Sequence, residues 1–206
     1  MHRILDILSS GIHDAKNQLF LAESLIAQAE AEHGLKLDEA RFAIEHAASR
    51  LSRLLTAYKL QRKVGSLSID MVSVPDLLEE AALISASHCT HLGLRLNTES
   101  PQGLGWLLDR ELLLDILTNA IQNACRYARS QITLSATADE KGLTLKVEDD
   151  GPGYSEPDVE TMTGNGVGLF VAAEIARMHK SGARHGKLAL ANGGRHGGAV
   201  FELFLP

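Results

Sequence analysis

Four short segments carry the side chains whose types and spacing could do chemistry. The first is Gly11-Ile12-His13-Asp14-Ala15-Lys16-Asn17-Gln18-Leu19. An imidazole followed by an acid can act as a nucleophile, the carboxylate keeping one ring nitrogen protonated while the other attacks. Asn17 lies one helical turn beyond His13 and can hold a water there. The same pair can also be a plain solvated face. The second segment, Asn119-Ala120-Ile121-Gln122-Asn123-Ala124-Cys125-Arg126-Tyr127, puts two amides at i and i+4, beside the apolar stripe of Leu112, Ile116 and Ala120. Amides so placed must find partners: a hydrated Mg²⁺ with phosphate oxygens, or neighbouring backbone. In the third, Val147-Glu148-Asp149-Asp150-Gly151-Pro152-Gly153, a carboxylate leaves a strand beside Gly-x-Gly. It can accept a hydrogen bond from an exocyclic amine while backbone approaches a flat ring, although Asp-Gly and Pro-Gly also mark ordinary turns. The fourth, Gly164-Asn165-Gly166-Val167-Gly168-Leu169-Phe170, opens a helix whose N–H groups can receive a polyphosphate. It is neither GxGxxG nor GxxxxGK[ST], which removes the motif support for a dinucleotide or P-loop site.

Two kinds of element must position these groups. From Leu5 the apolar residues run Leu5, Leu8, Ile12, Ala15, Leu19, Ala22, Ile26 and Ala29, alternating steps of three and four. That is a heptad seam. His33-Gly34 breaks it, with Gly34 suited to the left-handed conformation past a helix end. A second seam follows through Leu37, Ala40, Ile44, Ala47, Leu51, Leu54 and Tyr58. The pattern predicts an antiparallel helical hairpin, with His13 one position off the seam and facing solvent. Ile4, Leu25, Phe42 and Leu55 widen the apolar stripe beyond what two helices cover. A second copy completing a four-helix bundle would bury it, as would packing on the chain's own remainder.

After residue 66 the texture changes. Strands are predicted at 68–74, 92–97, 105–108, 132–138, 143–148, 187–191 and 199–205, with helices at 76–86, 109–128 and 167–179. Pro75 opens the first of these helices, and Asp139-Glu140-Lys141-Gly142 turns a hairpin. Helices with a mixed sheet make a two-layer α/β sandwich. The fold class is therefore α+β, with a hairpin over 1–66 and a sandwich over 67–206.

Composition narrows the function further. The chain has 206 residues, 45% hydrophobic and 22% charged, enough apolar material for a packed core. Residues 1–66 carry nine Lys+Arg against eight Asp+Glu; the remainder carries eleven against eighteen, a net of −7. An acidic part without a basic stripe speaks against nucleic acid as a partner. No run of eighteen apolar residues and no signal peptide is present, so no membrane insertion and a cytoplasmic location are expected. Cys89 and Cys125, far apart in sequence, argue against a disulfide scaffold. His88-Cys89-Thr90-His91 is too tightly spaced for tetrahedral zinc without distant partners. His179, His185 and His196 stand near glycine-rich turns and are expected at the surface, and Trp106 in the core.

Together and in this order, the four segments resemble the sensor histidine kinases of two-component signalling. His13-Asp14-x-x-Asn17 resembles the phosphoacceptor H box, and Asn119-x-x-x-Asn123-Ala-x-Arg126-Tyr127 the N box. Asp149-x-Gly151-x-Gly153 is similar to the G1 box and Gly164-x-Gly166-x-Gly168-Leu169 to the G2 box. The resemblance runs to Phe201-Glu202-Leu203-Phe204-Leu205-Pro206, similar to the family's closing strand. It implies a dimerisation and histidine-phosphotransfer hairpin followed by a Bergerat-type (GHKL) ATP-binding domain, with ATP and Mg²⁺ as cofactors. It also implies a homodimer, with a response-regulator receiver domain as partner. By that resemblance His13 accepts the γ-phosphoryl group, Asp14 acts as its base, and Asn17 orients water when the partner is dephosphorylated. Asn123, helped by Asn119, holds Mg²⁺; Arg126 meets phosphate and Tyr127 flanks the adenine. Asp149 binds its amino group beside Gly151 and Gly153, and Gly164, Gly166, Gly168 and Leu169 belong to the phosphate-side lid.

The chain departs from the family pattern where Gln18-Leu19 stands in place of a proline after Asn17. Its lid is also short, ten residues between Gly153 and Gly164 without an evident F box. With no sensor or membrane segment ahead of the hairpin, a stand-alone kinase or the catalytic fragment of a larger one is expected. Two other classes bear on the same residues. A histidine phosphotransferase or adaptor shares the layout but usually lacks the N and G boxes. Other Bergerat ATPases place Glu where Asn119 stands.

Overall fold

The computed structural model describes residues 67–155 and 166–206, and ahead of them 15, 18, 19, 21, 22, 25, 26, 29, 30, 32–35, 37, 40, 43, 44, 47 and 51; the side chains of 166–168 are outside that description. His13, Asp14, Asn17 and Gly164 lie outside the described residues. The chain divides into two compact units, Met1–Arg62 and Lys63–Pro206.

In the first unit, the described residues from Ala15 to His33 are helical, and helix returns at Ala40, Ala43, Ile44, Ala47 and Leu51. Gly34 ends the first stretch at φ +63°, its N–H bonded to the Glu30 carbonyl at 2.9 Å. That left-handed step is cheap only for a residue without Cβ. The Glu30 carboxylate then accepts the Leu37 N–H at 2.9 Å, tying the turn together. Leu19, Ala22, Ile26, Ile44, Ala47 and Leu51 are half-buried on the seam, whereas Leu21 and Leu25 are 59% and 56% exposed.

In the second unit the elements run β1 (Asp70–Ser73), α1 (Val74–His91), β2 (Arg95–Glu99), β3 (Gly105–Leu108), α2 (Arg110–Tyr127), β4 (Gln131–Ala138), β5 (Leu143–Asp149), α3 (Gly166–Met178), β6 (Lys180–Ser181), β7 (Arg184–His185), β8 (Lys187–Asn192) and β9 (Ala199–Leu205). The main sheet has the order β2-β4-β5-β9-β8, parallel only between β2 and β4. The core forms where α1, α2 and α3 cover one face of it. Leu77, Leu78, Leu112, Leu113, Leu117, Ile121, Leu134, Leu145, Ile175 and Leu203 are fully buried there. Each contributes roughly 2 kcal/mol by leaving water. The other face is polar, with Lys146 and Glu202 paired across β5 and β9 at 2.8 Å. The Asp139 carboxylate holds the β4–β5 turn by accepting the Lys141 and Gly142 N–H groups at 2.8 and 3.1 Å, and those bonds lower its pKa.

Several sequence expectations need correction. Helix α1 runs five residues past Ala86, because Ala81, Ser85 and Cys89 continue its buried stripe; β2 is displaced to Arg95–Glu99 accordingly. The two cysteines, distant in sequence, meet in the core with sulfurs 3.2 Å apart but are free thiols, so the reading against a disulfide stands. Trp106 is half-buried opposite Val72 on the small β1–β3 sheet, not a core residue. His179 is not at the surface: it is 4% exposed. Its Nε2 accepts the Asp109 N–H at 3.1 Å, which requires the neutral ring to carry its proton on Nδ1, 2.8 Å from the Ile175 carbonyl. Burial pushes its pKa down, outweighing the Ile175 bond and the Asp109 charge.

Candidate functional site

Helix α2 is set by Asp109, whose carboxylate caps it through the Leu112 N–H (3.2 Å) and also takes the Ser68 N–H (2.9 Å). With that start, the 3.6-residue period buries Leu113, Leu117 and Ile121 and turns Ala120, Asn123, Ala124 and Tyr127 toward a cavity of about 470 Å³. Val147 and Asp149 of β5, the following Pro152–Ser155, Leu169 of α3, and Ala199 and Phe201 of β9 complete its lining. The volume is that of a small-molecule site, and the lining is mostly apolar with a few polar groups.

Asp149 is the buried polar group of this cavity, 4% exposed. Its Oδ1 accepts the N–H groups of Gly151 (2.8 Å) and Ala199 (3.2 Å), and its carbonyl accepts that of Gly198 (3.1 Å). Oδ2 accepts none among the described residues, and the Asn123 amide likewise makes no hydrogen bond among them. The glycines are packing requirements. A Cβ on Gly198 would strike the Asp149 carbonyl and carboxylate, and one on Gly151 the Tyr127 carbonyl. The next residue, Asp150, has its carboxylate committed to the fold. It takes the N–H groups of Arg129, Ser130 and Gln131 at 2.8, 3.0 and 3.3 Å and the Ser130 hydroxyl at 2.6 Å. Desolvation, which raises its pKa, is outweighed by these bonds, and the carboxyl stays well below the usual carboxylate range. Burial and the nearby Asp149 charge push the Tyr154 hydroxyl up to about 12, so it stays protonated.

Comparison with known proteins bears directly on this cavity. Residues 108–206 match the model of the histidine kinase-, DNA gyrase B-, and HSP90-like ATPases. The sensor protein kinase CarS of Pseudomonas aeruginosa is 31% identical over 179 residues, covering 80% of this chain and 39% of that protein. These matches support a two-component sensor kinase with an ATPase domain of this type. Sensor histidine kinase CpxA of Escherichia coli is 25% identical over 195 residues, covering 86% of this chain and 42% of CpxA. The chain thus spans about two fifths of the length of these curated relatives. In fold it is similar to the Acinetobacter baumannii histidine kinase AdeS, with a TM-score of 0.63 at 19% identity over 92% of this chain and 95% of that one. Among the described residues, no helix is long and apolar enough to cross a membrane.

Of the residues resembling the sensor kinase boxes, Asn123, Tyr127, Asp149, Gly153 and Leu169 line the one cavity. Asn119 and Arg126 do not line it, and the Asn119 amide donates to the Asp115 carbonyl at 2.8 Å. Gly151 sits behind Asp149 against α2. Gly166 and Gly168 occupy the first turn of α3, where backbone N–H groups have no intrahelical acceptor. Tyr154, Ser155, Ala199 and Phe201 line the cavity without having been singled out in the sequence. For Ala199 and Phe201, the available signal is their place on a strand that pairs with β5 in register, Val147 opposite Phe201.

Proposed function

We propose that the chain is the kinase part of a two-component sensor. In this reading it binds ATP in the cavity beside α2, phosphorylates His13, and passes the phosphoryl group to an aspartate on a response-regulator receiver domain. The observation that carries the reading is Asp149, whose Oδ1 holds backbone while Oδ2 is left to accept a hydrogen bond inside an apolar cleft. An exocyclic amine on a flat heteroaromatic ring matches that acceptor, and Ala120, Val147, Leu169 and Phe201 match the ring.

The remaining groups suit Mg²⁺ and phosphate. The Asn123 amide has its hydrogen-bonding capacity available to a hydrated cation, with Asn119 a turn behind it. Arg126 lies nearby in sequence for a phosphate, and Tyr127 flanks the base. The first-turn N–H groups at Gly166 and Gly168, with Gly164 and Leu169, receive anionic oxygens. Bound Mg–ATP supplies the transferable phosphoryl group with part of its charge neutralised. On the hairpin, His13 is the nucleophile and Asp14 takes its proton as the phosphorus–nitrogen bond forms and the β–γ phosphoanhydride bond breaks, ADP leaving; Asn17 orients water when the partner is dephosphorylated. Division at 1–66 and 67–206 gives a phosphotransfer hairpin and a catalytic domain. The exposed Leu21 and Leu25 support a homodimer through a four-helix bundle, and a cytoplasmic setting is the one in which ATP and the receiver domain are met.

The test is transfer from γ-labelled ATP. Wild-type protein is expected to gain acid-labile label, with His13→Gln gaining none while binding an ATP analogue as well as wild type. Equal labelling of the two proteins overturns the assignment of His13. Failure of wild type to bind the analogue with Mg²⁺ overturns the kinase reading in favour of a phosphotransferase or adaptor.

A further inference from the structure

One wall of the cavity is held by a side chain that does not line it. Asn192, the last residue of β8, accepts the Tyr154 N–H on Oδ1 at 2.7 Å and donates from Nδ2 to the Tyr154 carbonyl at 2.8 Å. Both backbone polar groups of one residue are thereby fixed by one planar amide, as a neighbouring strand would fix them. Gly153 makes the approach feasible. Its φ is +82°, and a Cβ there would stand 2.6 Å from Asn192 Oδ1. Gly153 and Tyr154 line the cavity, whereas Asn192 is exposed and lies outside it. Among the described residues nothing else hydrogen-bonds the Tyr154 backbone. The segment leaving β5 would otherwise be free to swing its ring away from Asp149.

We propose that Asn192 is a positioning residue for nucleotide binding: it clamps the Tyr154 backbone so that the phenol ring stands as a fixed wall of the cavity. This rests on the reading of the cavity as a nucleotide site. The clamp couples the end of β8 to the start of the segment between Gly153 and α3, and it acts on affinity, not on the transfer step. Replacing the amide by a carboxylate is expected to be no milder than removing it, because an oxygen would then face the Tyr154 carbonyl.

Calorimetry on the whole chain with Mg²⁺ and a non-hydrolysable ATP analogue tests this, using wild type, Asn192→Ala, Asn192→Asp, Tyr154→Ala and the double Asn192→Ala/Tyr154→Ala. Both Asn192 variants are expected to bind about tenfold more weakly than wild type, with melting temperatures within about 2 °C of it because the side chain is exposed. The double variant should bind within about twofold of Tyr154→Ala alone, since the clamped backbone then carries no ring to position. In steady-state turnover the KM for ATP should rise while kcat is kept. Wild-type affinity in Asn192→Ala, or losses that multiply in the double variant, overturn the clamp while leaving the nucleotide site standing. A wild-type chain that takes no analogue overturns the nucleotide reading and the clamp with it.

Discussion

The two ends of helix α2 treat their polar groups in opposite ways. At the N-terminal end, the 1%-exposed Asp109 spends one carboxylate oxygen on the Leu112 N–H and the other on the Ser68 N–H. Its own N–H is spent on His179, which closes the junction onto the end of α3. At the C-terminal end, the Asn123 amide makes no hydrogen bond among the described residues, and Asp149 commits one oxygen to backbone and leaves the other. Both ends contain a buried carboxylate, so burial does not distinguish structure from site. The distinction is whether the hydrogen-bonding capacity has been used up by the fold.

Substitutions at the two ends should therefore separate stability from binding. The largest effect is expected from Asp109→Ala. It removes the cap, leaving the buried Leu112 N–H without its acceptor and freeing the exposed Ser68 N–H, and should cost about 2–3 kcal/mol in denaturant unfolding, with the folded fraction keeping its analogue affinity. Should that variant lose affinity at full stability instead, the junction belongs to the site and the comparison breaks.

Asp149→Asn is expected to do the reverse. Its Oδ1 can still accept from Gly151 and Ala199, but an NH₂ now faces the cavity, and analogue affinity should fall by about 30-fold, or about 2 kcal/mol, at near wild-type melting temperature. A large loss of stability without loss of affinity would place Asp149 with Asp109.

The smallest effect is one of pH, read at His179. Its folded pKa is lowered by burial, so below about pH 6.5 the unfolded chain takes up a proton that the folded ring refuses. Stability contributed by the neutral ring is complete above that pH and is lost as pH falls toward the folded value, by roughly 1 kcal/mol per unit. Thermal unfolding from pH 8 to 5 should show wild type falling more steeply than His179→Gln. Parallel curves would mean the ring is not held neutral.

Much of the second unit was legible in its residue pattern. Gly105–Leu108, Ala199–Leu205 and the Asp139–Gly142 turn come out as read, because alternation and turn chemistry act over a few residues. The helix after Pro75 was read short because its last buried positions are Ser85 and Cys89, which hydropathy alone does not mark as core. His179 was misread for a related reason. A histidine beside a glycine-rich turn looks solvated until the Asp109 N–H, seventy residues away, is seen against its ring. Asn192 carried no signal at all, since its partner Tyr154 lies 38 residues before it and is bonded through backbone.

By itself the sequence determined which groups of the second unit could do chemistry and on which local elements they ride: Asn123 and Tyr127 one turn apart on a helix, Asp149 at a strand end before glycines. Such facts depend on spacing along the chain, which helix and strand periods convert directly into faces. The tertiary structure alone decided which polar atoms are consumed by the fold and which remain for a ligand. It separated Asp149 from Asp150, whose carboxylate is taken by the N–H groups of Arg129, Ser130 and Gln131, because a hydrogen bond between residues distant in sequence exists only once the sheet and helices have brought its two ends within 3 Å or so.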